Sequence, residues 1–244
     1  MKRQILNKLL ECHAEKQTAA LVTQIESGLQ SLVFADGTTY ECDPQANELS
    51  AEVVNRAQRS LDEQRSVAAE MEGSRYIIRA YVPPARLFVV GAVHIAQALL
   101  PMAALAGFQV HLIDPREAFG AVKRFPGIDV IHQWPDQAIA ALSPDSSSAV
   151  VTLSHDPKID EPALQVALAS DAFYVGALGS RKTHAARLSR LSAAGIDADT
   201  LTRIHAPVGL ALGGRDPAEI AVAILAEIIE TRYQAPANAV TASV

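Results

Sequence analysis

The sequence predicts an α/β protein, a doubly wound parallel sheet preceded by a smaller α+β module. Three observations carry that expectation. After Pro83-Pro84, short apolar runs alternate with helical patterns, the signature of strand–helix–strand units. The polar and glycine-rich clusters of this region fall where such runs end, which is where ligands bind in open parallel sheets. Before the double proline the pattern is different, with short strands around a hairpin-type turn and one longer helical stretch.

The chain has 244 residues, enough for one large domain or two smaller ones. With 49% apolar and 20% charged residues it has the composition of an ordinary globular protein. The net charge of −6 and the lack of a Lys/Arg block argue against nucleic acid. No apolar run approaches the ~20 residues of a spanning helix. Met1-Lys2-Arg3-Gln4-Ile5 has two basic residues but no apolar stretch after them, so it does not read as a signal peptide. A cytoplasmic location with no membrane association is therefore expected. The two cysteines, Cys12 and Cys42, lack metal-type spacing and cannot form a disulfide framework. Carboxylates around Cys42, in a turn-rich stretch that includes Asp43-Pro44, would raise its pKa and argue against a reactive thiolate.

In the first module (1–84), Leu21–Ile25 and Ser31–Phe34 read as strands, with Asp36-Gly37 as the turn signal. Apolar positions Val53, Val54, Ala57, Leu61, Val67 and Ala68 predict one helix over Leu49–Met71. A strand at Arg75–Tyr81 runs into the prolines, which cannot continue a ladder. In the second module (85–234), strands are expected at Leu87–Val90, Gln109–Ile113, Ala149–Leu153 and Ala172–Ala177. Helices are expected at Ile95–Ala106, around Glu161–Ser170, from the 179–182 turn to Leu191, and from Asp216 to about Arg232. Asp216-Pro217-Ala218-Glu219 is a helix-start signal with a capping box. The Ala/Pro/Thr-rich residues 235–244 read as a loose tail.

Five segments at strand ends carry candidate chemistry. Gly91-Ala92-Val93-His94 offers a tight turn whose amides can approach a phosphate, or simply a strand-to-helix turn. The full GxGxxG fingerprint is absent. Asp114-Pro115-Arg116 follows about 20 residues later, where a dinucleotide fold places an acid for a ribose hydroxyl. Arg116 suits an anion, and an exposed Asp-Pro turn explains the pair equally well. Ser154-His155-Asp156-Pro157 places His155 and Asp156 where an acid, base or ligand can sit, but without a nucleophile elbow a hydrolase triad is poorly founded. Gly176-Ala177-Leu178-Gly179-Ser180-Arg181-Lys182-Thr183 joins glycines, a hydroxyl and two cations at a helix start, which suits an anion. It lacks the GxxxxGK[ST] spacing of a P-loop. His205-Ala206-Pro207-Val208-Gly209-Leu210-Ala211-Leu212-Gly213-Gly214 is either a loop that closes on a ligand or a connector. His155 and His205 form no metal-type spacing with Cys or Glu.

Residues and spacing alone reach a Rossmann-like fold. Taken together, Asp114-Pro115-Arg116, His155-Asp156-Pro157-Lys158-Ile159-Asp160, Tyr174–Arg181, His205–Leu210 and Pro217–Val222 resemble the xanthine dehydrogenase accessory protein (XdhC/CoxI) family over roughly residues 86–232. The resemblance implies a non-catalytic chaperone of molybdenum cofactor, in its molybdopterin or dinucleotide form. Such a protein assists sulfuration with a cysteine desulfurase and inserts the cofactor into an apo molybdenum hydroxylase. Anionic cargo of that kind would meet Gly91, His94, Asp114, Arg116, His155, Asp156, Gly176, Gly179, Ser180, Arg181, Lys182, His205 and Gly209. No catalytic residue and no protein-held metal are expected, and a homodimer stays open. The chain also departs from the family: Glu26–Ser31 stands where members carry a Gly-Ser-Ser-Pro-Arg-like segment, a Gly-Gly-Cys-like segment has no counterpart, and Val93 replaces a second glycine. The alternatives are an NAD(P)-dependent oxidoreductase using the same cleft, with His155 or His205 as proton donor, and a regulatory nucleotide sensor.

Overall fold

A computed structural model describes residues 1–42, 48–119 and 122–234. The Asp43-Pro44 turn and the 235–244 tail expected from the sequence lie outside them. The chain divides into two compact units between Pro83 and Pro84.

The first unit contains α1 (Arg3–Ala14), β1 (Ala19–Gln24), β2 (Gln30–Phe34), β3 (Thr39–Glu41), α2 (Ala51–Asp62), β4 (Val67–Met71) and β5 (Ser74–Tyr81). Its strands form an antiparallel sheet in the order β3-β2-β1-β5-β4. Strand alternation sorts its core to two faces. Ala20, Val22, Val33 and Ile78 pack on Val53, Ala57 and Leu61 of α2, while Ala19, Leu21 and Leu32 pack on Ile5, Leu9 and Cys12 of α1. The expected Leu49–Met71 helix is corrected. It ends at Asp62, Gln64 takes a left-handed φ of 49°, and Val67–Met71 becomes a strand paired with β5. The apolar residues at 67 and 68 fit a helical period, but ladder pairing decided their conformation. The link between β4 and β5 is Glu72-Gly73, both with positive φ (50° and 74°), as a type I′ hairpin turn requires. Helix α1 was not anticipated either. Its apolar face is only Ile5, Leu9 and Cys12, a narrow stripe in a polar segment.

The second unit runs β6 (Arg86–Val90), α3 (His94–Leu105), β7 (Gln109–Ile113), β8 (Val130–Ile131), α4 (Pro135–Leu142), β9 (Ser148–Thr152) and α5 (Pro157–Leu168). It continues with β10 (Tyr174–Ala177), α6 (Arg181–Ala193), α7 (Ala198–Leu201), β11 (Ile204–His205) and α8 (Pro217–Gln234). All six strands are parallel, in the order β11-β10-β9-β6-β7-β8. Read from the other edge this is the 3-2-1-4-5-6 order of a Rossmann sheet, with its switch point between β6 and β9. Both faces are covered, which explains why β6 and β9 are buried at every position. Leu87, Val89, Ala149 and Val151 face α3 and α8, and Phe88, Val90 and Val150 face α4 and α5. At the start of α8, Glu219 accepts the Arg215 and Asp216 amides at 2.9 and 3.2 Å, one half of the expected capping box. No helix among the described residues is long and apolar enough to cross a membrane.

Candidate functional site at the carboxyl edge of the parallel sheet

The loops after β6, β7, β9 and β10 emerge at one edge of the sheet, and the two that flank the switch point touch. Gly91 has φ 107°, and a Cβ there would lie 2.8 Å from the Ser154 backbone nitrogen. Only glycine allows the β6 and β9 loops to pass this closely. The turn does not hold an open anion site at its first amide. Ala92 N–H donates to Asp114 Oδ2 at 2.7 Å.

Asp114 is fully buried at the end of β7. Besides Ala92, it receives the Arg116 amide at 2.9 Å on Oδ1, Arg116 Nε at 2.9 Å on Oδ1, and Arg116 Nη2 at 2.8 Å on Oδ2. Four donors on two oxygens use the lone pairs of an ionised carboxylate. Burial alone would push the Asp114 carboxyl up, but the Arg116 guanidinium and the two amides outweigh it and hold the group below its usual range. Asp114 in turn raises the Arg116 guanidinium. Arg116 is also stacked 4.1 Å from the Phe119 ring centroid. Asp114 therefore braces Arg116 and the first turn, and has no lone pair left for a ribose hydroxyl. His94 opens α3 nearby and is exposed.

Across the switch point, His155 is exposed and left-handed, with φ 64°. For a residue with a Cβ that conformation costs of the order of 1 kcal/mol, and it persists only where neighbours enforce it. The neighbours do so here. Ser154 donates its amide (3.2 Å) and hydroxyl (2.7 Å) to buried Asp160, and Ser154 Oγ accepts the Asp156 amide at 3.1 Å. Asp156 then caps α5 by accepting the Lys158 amide at 2.9 Å.

At the end of β10, Gly179 has φ 141°, and a Cβ would press on Thr183 at 3.2 Å. Ser180 caps α6, accepting the Thr183 amide at 3.2 Å. Arg181 and Lys182 follow, exposed and without an ion pair among the described residues. Arg181 borders a cavity of about 300 Å³ whose wall includes Pro207–Ala211, Gly213, Gly214 and the first turns of α8.

Gly176, Gly209 and His205 belong to a packing cluster around Tyr174, and Gly209 also lines the cavity that Arg181 borders. A Cβ on Gly176 would meet Val208 at 2.7 Å and the Tyr174 ring at 2.8 Å; on Gly209 it would meet the α8 backbone at 3.1 Å. Glu227 of α8 accepts the Tyr174 hydroxyl in a short bond and the Gly209 amide at 2.8 Å. His205 stacks on Tyr174 with centroids 4.5 Å apart, and its Nδ1 lies 3.5 Å from Glu227. Burial and the neighbouring carboxylate push the Tyr174 hydroxyl far up, so it stays protonated and serves as a donor.

The structure thus brings Gly91, His94, Asp114, Arg116, His155 and Asp156 to the switch point, and Gly179, Ser180, Arg181 and Lys182 to the next loop. Sequence reasoning missed Asp160, Arg187, Tyr174 and Glu227 as members of the supporting network. A signal existed for Glu227, the one acid among Ile224, Leu225, Ile228 and Ile229 of α8. Trp134, half exposed just beyond β8, also lies at this edge. No group of three His, Cys, Asp or Glu among the described residues is arranged to hold a metal ion.

A parallel sheet in this strand order, with a glycine turn at its switch point, defines a Rossmann domain. Residues 87–228 match the XdhC Rossmann domain, and the chain belongs to that family. It is 35% identical over 150 residues to the molybdenum cofactor insertion chaperone PaoD of Escherichia coli (strain K12), covering 62% of this chain and 41% of that protein. It is 32% identical over 156 residues to a probable xanthine dehydrogenase subunit of Bacillus subtilis (strain 168), covering 64% of this chain and 45% of that protein. The chain therefore spans less than half the length of these curated relatives. A crystal structure described as a xanthine dehydrogenase from Bacillus halodurans superposes with a TM-score of 0.68 at 22% identity, over 94% of this chain and 64% of that one. That likeness extends the shared fold to nearly the whole chain.

Proposed function

We propose that this protein is a cytoplasmic chaperone of molybdenum cofactor, which binds the cofactor in its molybdopterin or dinucleotide form at the carboxyl edge of the parallel sheet. It assists sulfuration together with a cysteine desulfurase and inserts the cofactor into an apo molybdenum hydroxylase such as xanthine dehydrogenase. Support comes from the family, and from two relatives, one named as a molybdenum cofactor insertion chaperone and the other as part of a probable xanthine dehydrogenase.

The observation that carries the reading is the state of Asp114. The acid that would recognise a nicotinamide dinucleotide's ribose is filled by four donors from its own chain. The same edge meanwhile offers cations: Arg116 fixed by that carboxylate, and Arg181 and Lys182 with no ion pair among the described residues. A cargo bearing phosphate fits this donor set better than a ribose diol does. Gly91, His94, His155, Asp156, Gly179 and Ser180 form the turns around it. A chaperone needs reversible binding and no reaction of its own, so none of these residues is assigned a catalytic part.

The test is anaerobic ultrafiltration of the purified protein with molybdenum cofactor, with NAD(P) in parallel, followed by transfer of the bound material to an apo-hydroxylase. Retention at micromolar or lower cofactor, with recovery of hydroxylase activity, is the expected result. Retention of NAD(P) alone would overturn the reading.

A further inference from the structure

Beneath the two loops that follow β9 and β10, one carboxylate and one guanidinium are almost wholly enclosed. Asp160, in the first turn of α5, is 1% exposed, and Arg187, midway along α6, is 3% exposed. Asp160 gives Oδ1 to the Ser154 amide and hydroxyl, at 3.2 and 2.7 Å, while Oδ2 has no partner. Arg187 donates from Nη2 to the Leu178 carbonyl at 2.8 Å, while Nη1 has no partner. The two loops are already joined at the strand ends, where the Leu178 amide donates to the Thr152 carbonyl at 2.9 Å. At the outer edge of the same helix pair, Arg190 meets Glu161 at 2.6 Å.

Each helix therefore sends a buried charged group to the loop that follows its own strand. No hydrogen bond or ion pair joins the two groups directly. Burial pushes the Asp160 carboxyl up, opposed by its bonds from Ser154 and by the charge of Arg187. Burial pulls the Arg187 guanidinium down, opposed by Asp160 and Glu161. For stability alone this is a poor use of the interior. An apolar pair of similar volume generally serves as well or better, and each orphaned polar atom carries its full desolvation cost. What the pair adds is geometry. Asp160 fixes Ser154, and through it the left-handed backbone of His155. Arg187 fixes Leu178, one residue before Gly179 and the turn that presents Arg181 and Lys182.

We propose that Asp160 and Arg187 are positioning residues: from α5 and α6 they hold loop 154–156 and loop 178–182 in place, each through its own hydrogen bonds, so that both loops meet the same anionic cargo. The cargo half of this inference rests on the proposed function; the positioning of the two loops does not.

Asp160→Leu and Arg187→Met each remove the bonds that hold one loop and leave the other buried charge in place, and each lowers the melting temperature. The double variant D160L/R187M removes both charges, puts apolar side chains of similar volume in their place and regains most of the loss. Two readouts then separate positioning from stability. Amide hydrogen exchange at 154–156 and 178–182, measured on the free protein, is expected to stay at least tenfold faster in the double variant than in the wild type. The cofactor dissociation constant is expected to stay at least tenfold weaker. A double variant that exchanges and binds like the wild type would overturn the proposal. Should the double variant not fold, Arg187→Lys, which keeps the charge but shortens the reach to the Leu178 carbonyl, gives the reading at 178–182: wild-type exchange there overturns the positioning role of Arg187, and faster exchange upholds it. Exchange needs no ligand, so a wild type that fails to bind cofactor refutes the proposed function and leaves the positioning of the loops to be judged by exchange alone.

Discussion

The turns at Gly91 and Gly179 stand at the same edge of the same sheet, each a glycine with positive φ leading into a helix, yet the chain treats them oppositely. At Gly91 the protein supplies its own anion: Asp114, fully buried, takes the Ala92 amide and clamps Arg116. At Gly179 no carboxylate among the described residues takes that place, which the proposed function assigns to the cargo. Ser180 caps α6, and Arg181 and Lys182 project into solvent without partners among the described residues. A glycine before a helix thus marks a place where an anion fits, and does not say whose anion it is. A buried carboxylate on the neighbouring strand decides that.

Four variants break or sharpen this contrast. Gly91→Ala should have the largest effect. It combines strained backbone with a Cβ 2.8 Å from the Ser154 nitrogen, so a loss of several kcal/mol, or failure to fold, is expected in urea unfolding. Asp114→Asn comes next, at about 2–3 kcal/mol, somewhat below the cost of breaking a fully buried pair because Arg116 is 31% exposed. That loss depends on pH with a definite sign. Asp114 is depressed when folded, so its contribution is complete above the ordinary carboxylate value of 3.8 and disappears as pH falls through the lower folded value. The stability gap between wild type and D114N should therefore be full at about pH 6 and shrink below about pH 4.

At the other turn the effects move from stability to binding. Arg181→Ala with Lys182→Ala should change unfolding free energy by less than about 0.5 kcal/mol, as exposed substitutions do. The same pair should weaken cofactor binding roughly 10- to 100-fold, the range for losing one or two charge-assisted contacts. Unchanged affinity in the folded double variant would remove this turn from the site. Ser180→Ala is the smallest, at about 1 kcal/mol of helix capping, visible as a shifted urea midpoint with an unchanged slope.

Much of this arrangement was legible in the sequence, for identifiable reasons. Strands β6, β7, β9 and β10 were found because a sheet covered on both faces gives unbroken apolar runs such as Leu87–Val90. The short strands β8 and β11, at the two edges of the sheet, were not, since Val130–Ile131 and Ile204–His205 are too brief to show a period. The candidate residues were found because polar residues following buried strands stand out. Their division of labour was not legible. Nothing in Asp114-Pro115-Arg116 says that the acid turns inward to its neighbour, because that depends on the β6 turn arriving beside it. Gly176 and Gly209 read as ligand-facing; both pack closely, against Tyr174, Val208 and α8, and Gly209 also lines the cavity that Arg181 borders. Asp160, quoted only within a motif, and Arg187 and Glu227 were given no role because each looks like a surface charge on an amphipathic helix until the helix is docked.

Trp134 is the chain's one tryptophan, and it belongs to the unit that follows Pro83. Its emission consequently reports on the Rossmann unit alone, while circular dichroism sums the helices and strands of both. Melts followed by the two signals will coincide if the halves unfold as one cooperative block, and will separate if the antiparallel unit melts independently. The sequence thus supplies an internal thermometer for one half of the protein without any label.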